Sequence, residues 1–432
     1  RFGVELPAKF VPPLFAADLA RAAIRLRGRA PERLLELPTA SDERVVLAVR
    51  LICAASKAAY QLRPELCVAI ALKAVRLCLR HGNTRDCAIG YLAVGVVFLG
   101  GVLGRHQTGH AFGQLSLAVA DKYGNHAQLA ELAFVVGYFG TSWLRPATEA
   151  EALWRTAYEA GLRTGDLFHT GCACAGTVMS LMMRGAPLAA VRDESERHVE
   201  LLDRRGLREP LAVLMAVRRA RAALGGAVDG ETPCAEAELD DAAFEQRLGQ
   251  LGSKHFAHFH YVLKTQIAYL RGDYAEAARA AKISAGYLKE SPGMLHSAEH
   301  EVWSALVAAA QATTEPGRLR RRSLIRQVVR ARNKLAAWAA DCPVNFASKA
   351  QLVAGELARL RGDLAGAVRC FDDAVVAAEA AGHLHIAGLA HALAAQASAS
   401  DRTVQPDRLA LAGQAYTRWG ARALAASLAA HE

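Results

Sequence analysis

Apolar residues recur along this chain at steps of three and four within segments of roughly fifteen to twenty residues, the period at which one face of an α-helix meets a core. Period-two runs of Val, Ile, Thr and Tyr, the mark of half-buried strands, are hard to find. The pattern predicts an all-α protein with helices near 15–28, 42–60, 64–81, 85–104, 107–123, 126–142, 147–164, 167–184, 187–205 and 208–224. Further helices are predicted near 240–251, 254–271, 274–289, 295–312, 317–340, 346–361, 364–381, 384–399 and 405–428.

The breaks between these segments repeat. Helices run into Gly followed by Asn, Asp or His in LCLRHGNTRDCA around Gly82, AVADKYGNHAQLA around Gly124, YEAGLRTGDLFHTG around Gly165 and AEAAGHLHIAGLA around Gly382. Gly takes the left-handed conformation that closes a helix, and Asn or Asp next in line is suited to cap the following one. A second junction appears in two near copies, IAYLRGDYAEAARAA (Ile267 to Ala281) and LARLRGDLAGAVRCF (Leu357 to Phe371). In these, Ala277, Ala278 and Ala367 leave room for close helix approach, and Tyr269, Tyr274, Leu360 and Phe371 are expected to fill the adjoining holes. The spacing is that of a tetratricopeptide repeat, about 34 residues per hairpin. A single hairpin cannot bury its apolar face alone, so the expected architecture is a right-handed α-solenoid of tetratricopeptide-like hairpins. Gly225 to Glu238, rich in Gly and acidic residues, is expected to be a linker between an N-terminal array (1–224) and a C-terminal one (239–432).

Composition narrows the class. Apolar residues make up 52 % of the 432 and aromatics only 6 %, which argues against disorder, and a chain of this length either splits into domains or forms an elongated repeat. The net charge of +10 points to an anionic partner. Nine cysteines without regular spacing suit a reducing compartment, and a cytoplasmic location is expected. The chain begins at Arg1, not Met, so whether it is a fragment of a longer protein stays open. Cys87 to Gly104 carries no charge, near the lower length for a membrane span, but Gly90, Gly95, Gly100, Gly101 and Gly104 thin its apolar surface. It is read as a buried helix, and no membrane contact is expected.

Several strings resemble a known family. CPVNFASKAQLVAGELARLRGDLAGAVRCFDDAVVAAEAAGH (Cys342 to His383), QAYTRWGARALAASL (Gln414 to Leu428), EAEALWRTAYEAGLRTGDLFHTG (Glu149 to Gly171) and VRLCLRHGN (Val75 to Asn83) resemble the helical region of large bacterial signalling ATPases. In that family a kinase-like domain and an AAA-type ATPase commonly precede the helical array, and a GAF domain with a sensor histidine kinase often follows. The resemblance implies a regulatory arm. The chain holds no GxxxxGK phosphate loop, kinase catalytic loop or histidine-kinase nucleotide box, so no catalytic residue and no cofactor is expected in it.

Candidate chemistry is sparse. His296-Ser-Ala-Glu299-His300 matches the inverted zinc-protease string, with both imidazoles on one helix face. His255, His258 and His260 lie in KHFAHFHYVLK among Phe256, Phe259 and Tyr261, where His255 and His258 share a face. His255, His258, His296 and His300 are thus the candidate metal ligands, weighed against core packing, which is the preferred reading. Cys172 and Cys174 are two apart in an apolar helix and point to opposite sides, as buried structural thiols would. No GxSxG elbow occurs. The strongest charge feature is GRLRRRSLIRQVVRARNKL from Gly317, where Arg318, Arg322, Arg326, Arg330 and Lys334 recur every four residues, with Leu319, Ile325, Val328, Val329 and Leu335 expected opposite. It is either a solvated helix face or a dock, in order of preference, for an acidic protein surface, a nucleotide or a nucleic acid; no aromatic interleaving supports the last.

Together these features predict a non-catalytic scaffold, the sensor or coupling arm of a signalling ATPase or kinase, working through its concave face on a protein partner or on flanking domains. The alternative is a small-molecule-sensing domain of a transcriptional regulator, with a pocket near His255 to Tyr261. A metal-dependent enzyme using the His255–His260 or His296–His300 histidines is the third reading.

Overall fold

The computed structural model describes residues 9–26, 30–225, 231–398 and 404–429. Among them the chain is helical, with one isolated bridge between Thr39 and Asn83 and no strand. The all-α expectation holds. The described residues fall into two compact units, one within 1–144 and 148–173, the other within 145–147 and 174–432.

The first unit contains α1 (Pro12–Leu26), α2 (Glu43–Leu62), α3 (Pro64–His81), α4 (Ala88–Tyr91), α5 (His106–Lys122), α6 (Leu129–Phe139), most of α7 (Ala147–Thr164) and the start of α8 (Leu167–Met183). Asp42 caps α2 by accepting from the Arg44 amide at 2.9 Å, and Pro64 opens α3, where its missing N–H costs nothing. Gly82 has φ +102°, and a Cβ there would stand 2.2 Å from the Pro38 carbonyl oxygen, so only glycine fits. The Asn beside each of two turn glycines does not cap the next helix as expected. Asn83 is fully buried, donates to the Leu34 carbonyl at 2.7 Å and accepts from the Tyr91 hydroxyl at 2.7 Å; Asn125 donates to the Arg85 carbonyl at 2.9 Å. Both bond to backbone carbonyls of other segments instead.

The apolar stretch predicted at 85–104 is helical, but from Leu92 to Val102 it opens into a π-helix after α4. Gly95 lies where a Cβ would be 2.1 Å from Cβ of Phe112, and Gly100 faces Gly109 of α5, so the glycines serve a close crossing. Among the described residues no helix is long and apolar enough to cross a membrane.

The second unit holds the rest of α8, then α9 (Leu188–Arg204), α10 (Arg208–Ala223), α11 (Asp241–Gln250), α12 (Lys254–Leu270), α13 (Tyr274–Tyr287), α14 (Leu295–Thr314), α15 (Arg318–Asp341), α16 (Pro343–Leu360), α17 (Leu364–Ala381), α18 (Leu384–Ala397), α19 (Val404–Trp419) and α20 (Arg422–Ala429). From α12 to α20 each helix packs on its successor, and α10, α12, α14, α16 and α18 also pack each on the next of that set. The two near-copied junctions behave alike. Gly272 and Gly362 take φ of 76° and 84°, and Asp273 and Asp363 accept from the amides of Glu276 and Gly366 at 3.0 and 2.8 Å. Replacing the second cap, Asp363→Ala, is expected to lower stability by about 1 kcal/mol in thermal unfolding, the usual cost of losing an N-cap.

Ala277, Ala367 and Phe371 are fully buried, and Gly355 lets the Phe371 ring come where a Cβ would be 2.4 Å away. Tyr274 departs from expectation: it is 43 % exposed, resting edge-on near Tyr269 at the open side of its turn. The end of this unit returns to its beginning. The Ala423 amide donates to the Leu224 carbonyl at 3.1 Å, Gly420 lies against Leu188, and Gly185 lies against the His385 ring.

The stretch expected to be a linker falls partly outside the described residues, at 226–230. Its described part is tied down. Glu231 pairs with Arg218 and Arg221, and the Thr232 amide donates to Glu196 at 2.7 Å while its carbonyl accepts from Arg218 at 3.0 Å. Residues 174–224 accordingly sit in the same unit as the helices that follow.

Candidate functional site

The basic row on α15 is laid out on the surface. Arg318, Arg322, Arg326, Arg330 and Lys334 are all exposed, while Val328, Ala331 and Leu335 are buried on the opposite side and Ile325 and Val329 pack partly beneath. Leu319 does not join that inner face. It is 82 % exposed, because helix phase places it about 180° round from Val328, on the side of Arg322, Arg326 and Arg330. Lys334 pairs with Glu301 at 2.6 Å and the neighbouring Arg320 with Glu315 at 3.0 Å. Among the described residues, no carboxylate lies within ion-pair distance of Arg318, Arg322, Arg326 or Arg330, so four like charges stand in a row unneutralised by the chain itself.

The histidines converge, though the sequence shows them as two separate strings. α12 and α14 are neighbours, and the His258 ring lies 4.9 Å from that of His296 and 5.7 Å from that of His300. His258 and His296 are fully buried, and His300 nearly so; His255 is half-buried. Burial disfavours the charged imidazole, pushing His258 down to about 3 and His255 and His300 down to about 4, and His296 well down as well. His300 Nδ1 is 2.8 Å from the Ser284 hydroxyl. Glu299 turns away from both histidines, forming an ion pair with Lys349 of α16 and accepting from Trp303 Nε1 at 3.3 Å. Among the described residues no group of three or more His, Cys, Asp or Glu is placed to hold a metal ion. The carboxylate that the zinc-protease string requires is committed elsewhere, and the imidazoles meet ring edge to ring face, as core aromatics do.

His260 separates from this cluster. It faces α11, with its ring 5.3 Å from Phe244 and its Nε2 3.8 Å from Glu245, too far for a hydrogen bond. On that side α10, α11, α12 and the start of α13 enclose a half-open cleft of about 470 Å³. Its wall is apolar at Leu263, Ile267 and Ala220, and charged at Arg219, Lys264 and Arg271 against Asp241, Asp273 and Glu276. The sequence alternative of a pocket near His255 to Tyr261 thus has a physical cleft beside it, reached from His260 rather than from His255 or His258.

The alternate helices α14, α16 and α18 bury large side chains against one another. Trp303, Phe346 and His385 are each fully buried, with the His385 ring between Trp303 at 6.1 Å and Trp419 at 5.5 Å. Cys172 and Cys174 are buried, and all nine cysteines are free thiols.

Sequence reading missed three features. The Glu299–Lys349 pair, the Arg218–Arg221–Glu196–Glu231 network and the cleft all need residues from distant segments. One signal was present: Glu299, Lys349 and Arg221 occupy positions in phase with the buried apolar stripe, where an unpaired charge would be too costly.

Comparison with protein-family models finds none that matches this chain, and comparison with curated proteins finds no match either.

Proposed function

We propose that the chain is a non-catalytic scaffold, a solenoid of tetratricopeptide-like hairpins that docks an acidic protein partner along α15. The resemblance to the helical region of bacterial signalling ATPases supports reading it as a coupling arm for an ATPase or kinase domain. The row Arg318, Arg322, Arg326 and Arg330 carries this reading. These four exposed guanidinium groups, without an intramolecular carboxylate, rise in steps of about 6 Å along one helix face. Like charges so placed repel one another, and a negative surface that meets them removes the repulsion and gains steered association. Arginine forks suit protein carboxylates in particular. The row lacks interleaved aromatic residues on which bases would stack, which favours a protein over a nucleic acid.

A labelled poly-glutamate peptide, followed by fluorescence anisotropy at low salt, tests the site. The triple variant R322E/R326E/R330E is expected to bind at least about tenfold more weakly than the parent. Its thermal midpoint should be unchanged, because the three side chains are exposed and, among the described residues, no carboxylate pairs with them. Equal binding by parent and variant, or tighter binding of a short DNA duplex than of the peptide, defeats the reading.

A further inference from the structure

The cleft beside His260 is unrelated to the α15 row and stands or falls separately from the scaffold reading. Its charges are largely spoken for on one side and free on the other. Arg219 pairs with Asp241 at 2.9 Å, and Lys264 lies 3.3 Å from Glu276 and pairs with Glu245 as well. Two remain. Arg271 is exposed with no carboxylate of the described residues in ion-pair reach, and Asp273 is exposed with only the helix-capping bond to the Glu276 amide. These opposite charges sit two residues apart at the α12–α13 turn. Beside them the cleft wall is aliphatic, with Leu263 and Ile267 from α12 and Ala220 from α10.

We infer that this cleft binds a zwitterionic ligand with an aliphatic body, the chemistry of a free amino acid or a short peptide. The ligand carboxylate meets Arg271, its ammonium group meets Asp273, and its side chain lies on Leu263 and Ile267. The lining cations and carboxylates balance, three against three, so an ion of one sign would meet as much repulsion as attraction. A molecule carrying both charges takes the attraction at both ends. The volume is in the range of small-molecule sites, about 300–1,000 Å³. The lining face of α12 from His260 to Arg271 runs about 16 Å, long enough for a few extended residues as well as a single amino acid.

Isothermal titration with L-leucine and with the tripeptide Ala-Leu-Ala separates the two sources, and N-acetyl-leucine and leucinamide each remove one charge. At least one zwitterion is expected to bind, with the corresponding blocked leucines at least about tenfold weaker. Arg271→Gln and Asp273→Asn are each expected to weaken that binding by about tenfold or more. Asn keeps the helix cap, and Arg271 is exposed, so both variants retain the parental melting midpoint. The inference is overturned if neither zwitterion gives heat at millimolar concentration, if a blocked leucine binds as well as its parent, or if both variants bind unchanged.

Discussion

Replacing Lys349 with Met is expected to cost about 3–5 kcal/mol of stability. Lys349 and Glu299 are 3 % and 2 % exposed, on α16 and α14, and the Glu299 carboxylate also accepts from Trp303 Nε1. Met matches the aliphatic stem of Lys, so packing is kept and the loss is electrostatic: a carboxylate stays behind in a wall of Ala, Leu and Trp with its counter-charge removed. The pair itself need not stabilise the fold relative to neutral residues, since desolvation of both ions offsets much of their attraction. The double variant E299Q/K349M, which leaves an acceptor for Trp303, should therefore recover most of what K349M loses. Urea unfolding followed by circular dichroism measures both. A K349M loss below about 1 kcal/mol would mean that water reaches the carboxylate, and the pair would then not be buried in the sense argued.

This pair belongs to a series. Ser284 of α13 meets His300 of α14, Glu299 of α14 meets Lys349 of α16, and Ser348 of α16 meets His383 Nδ1 at 2.9 Å at the entry to α18. The surrounding surfaces are Ala- and Leu-rich and similar from one turn to the next. Sliding a helix by one turn would keep much apolar contact but would leave each of these buried groups without its partner. Polar contacts between successive hairpins thus oppose slipped packings that the apolar pattern tolerates.

What the sequence made legible was local. Helix periodicity and the turn glycines at 82, 124, 165 and 382 depend on residues a few positions apart, and each appears in the structure. The exposure of the α15 arginines was readable for the same reason, since a four-residue step fixes a helix face. Leu319 departs from the apolar face because, at about 100° per residue, it falls about 180° round from Val328 and among the arginines. The His258–His296 meeting, the turning of Glu299 toward Lys349 and the cleft opposite Arg271 all depend on which helices become neighbours, and nothing in the spacing along one helix encodes that. The widening of 92–102 into a π-helix was likewise hidden, since its glycines read as an ordinary close-packed helix.

Acid is expected to unfold the second unit at a pH where its carboxylates are still ionised. His258, His255 and His300 have native values of about 3, 4 and 4, against 6.5 when free, because burial disfavours the cation. His258 is faced by His255, His296 and His300; near His300, the Glu301 carboxylate favours the cation and the Lys334 ammonium opposes it. The sign follows from proton binding: below pH 6.5 the unfolded chain takes up protons that the folded core refuses, so stability is full above 6.5 and falls as pH drops toward the native values. Each such histidine contributes a slope of up to about 1.4 kcal/mol per pH unit, or about 2 kcal/mol between pH 6.5 and 5. Carboxylates with lowered values, such as Glu276, release their share only below their free value of 4.5. Urea midpoints from pH 7.5 to 4.5 should therefore decline from near pH 6.5 downward, and His258→Leu should flatten that decline by about one proton's worth across the whole range, since the native value of His258, about 3, lies below it. A midpoint constant from pH 7 to 5, or a His258→Leu profile parallel to the parent's, would show that these imidazoles reach solvent and are not part of a closed core.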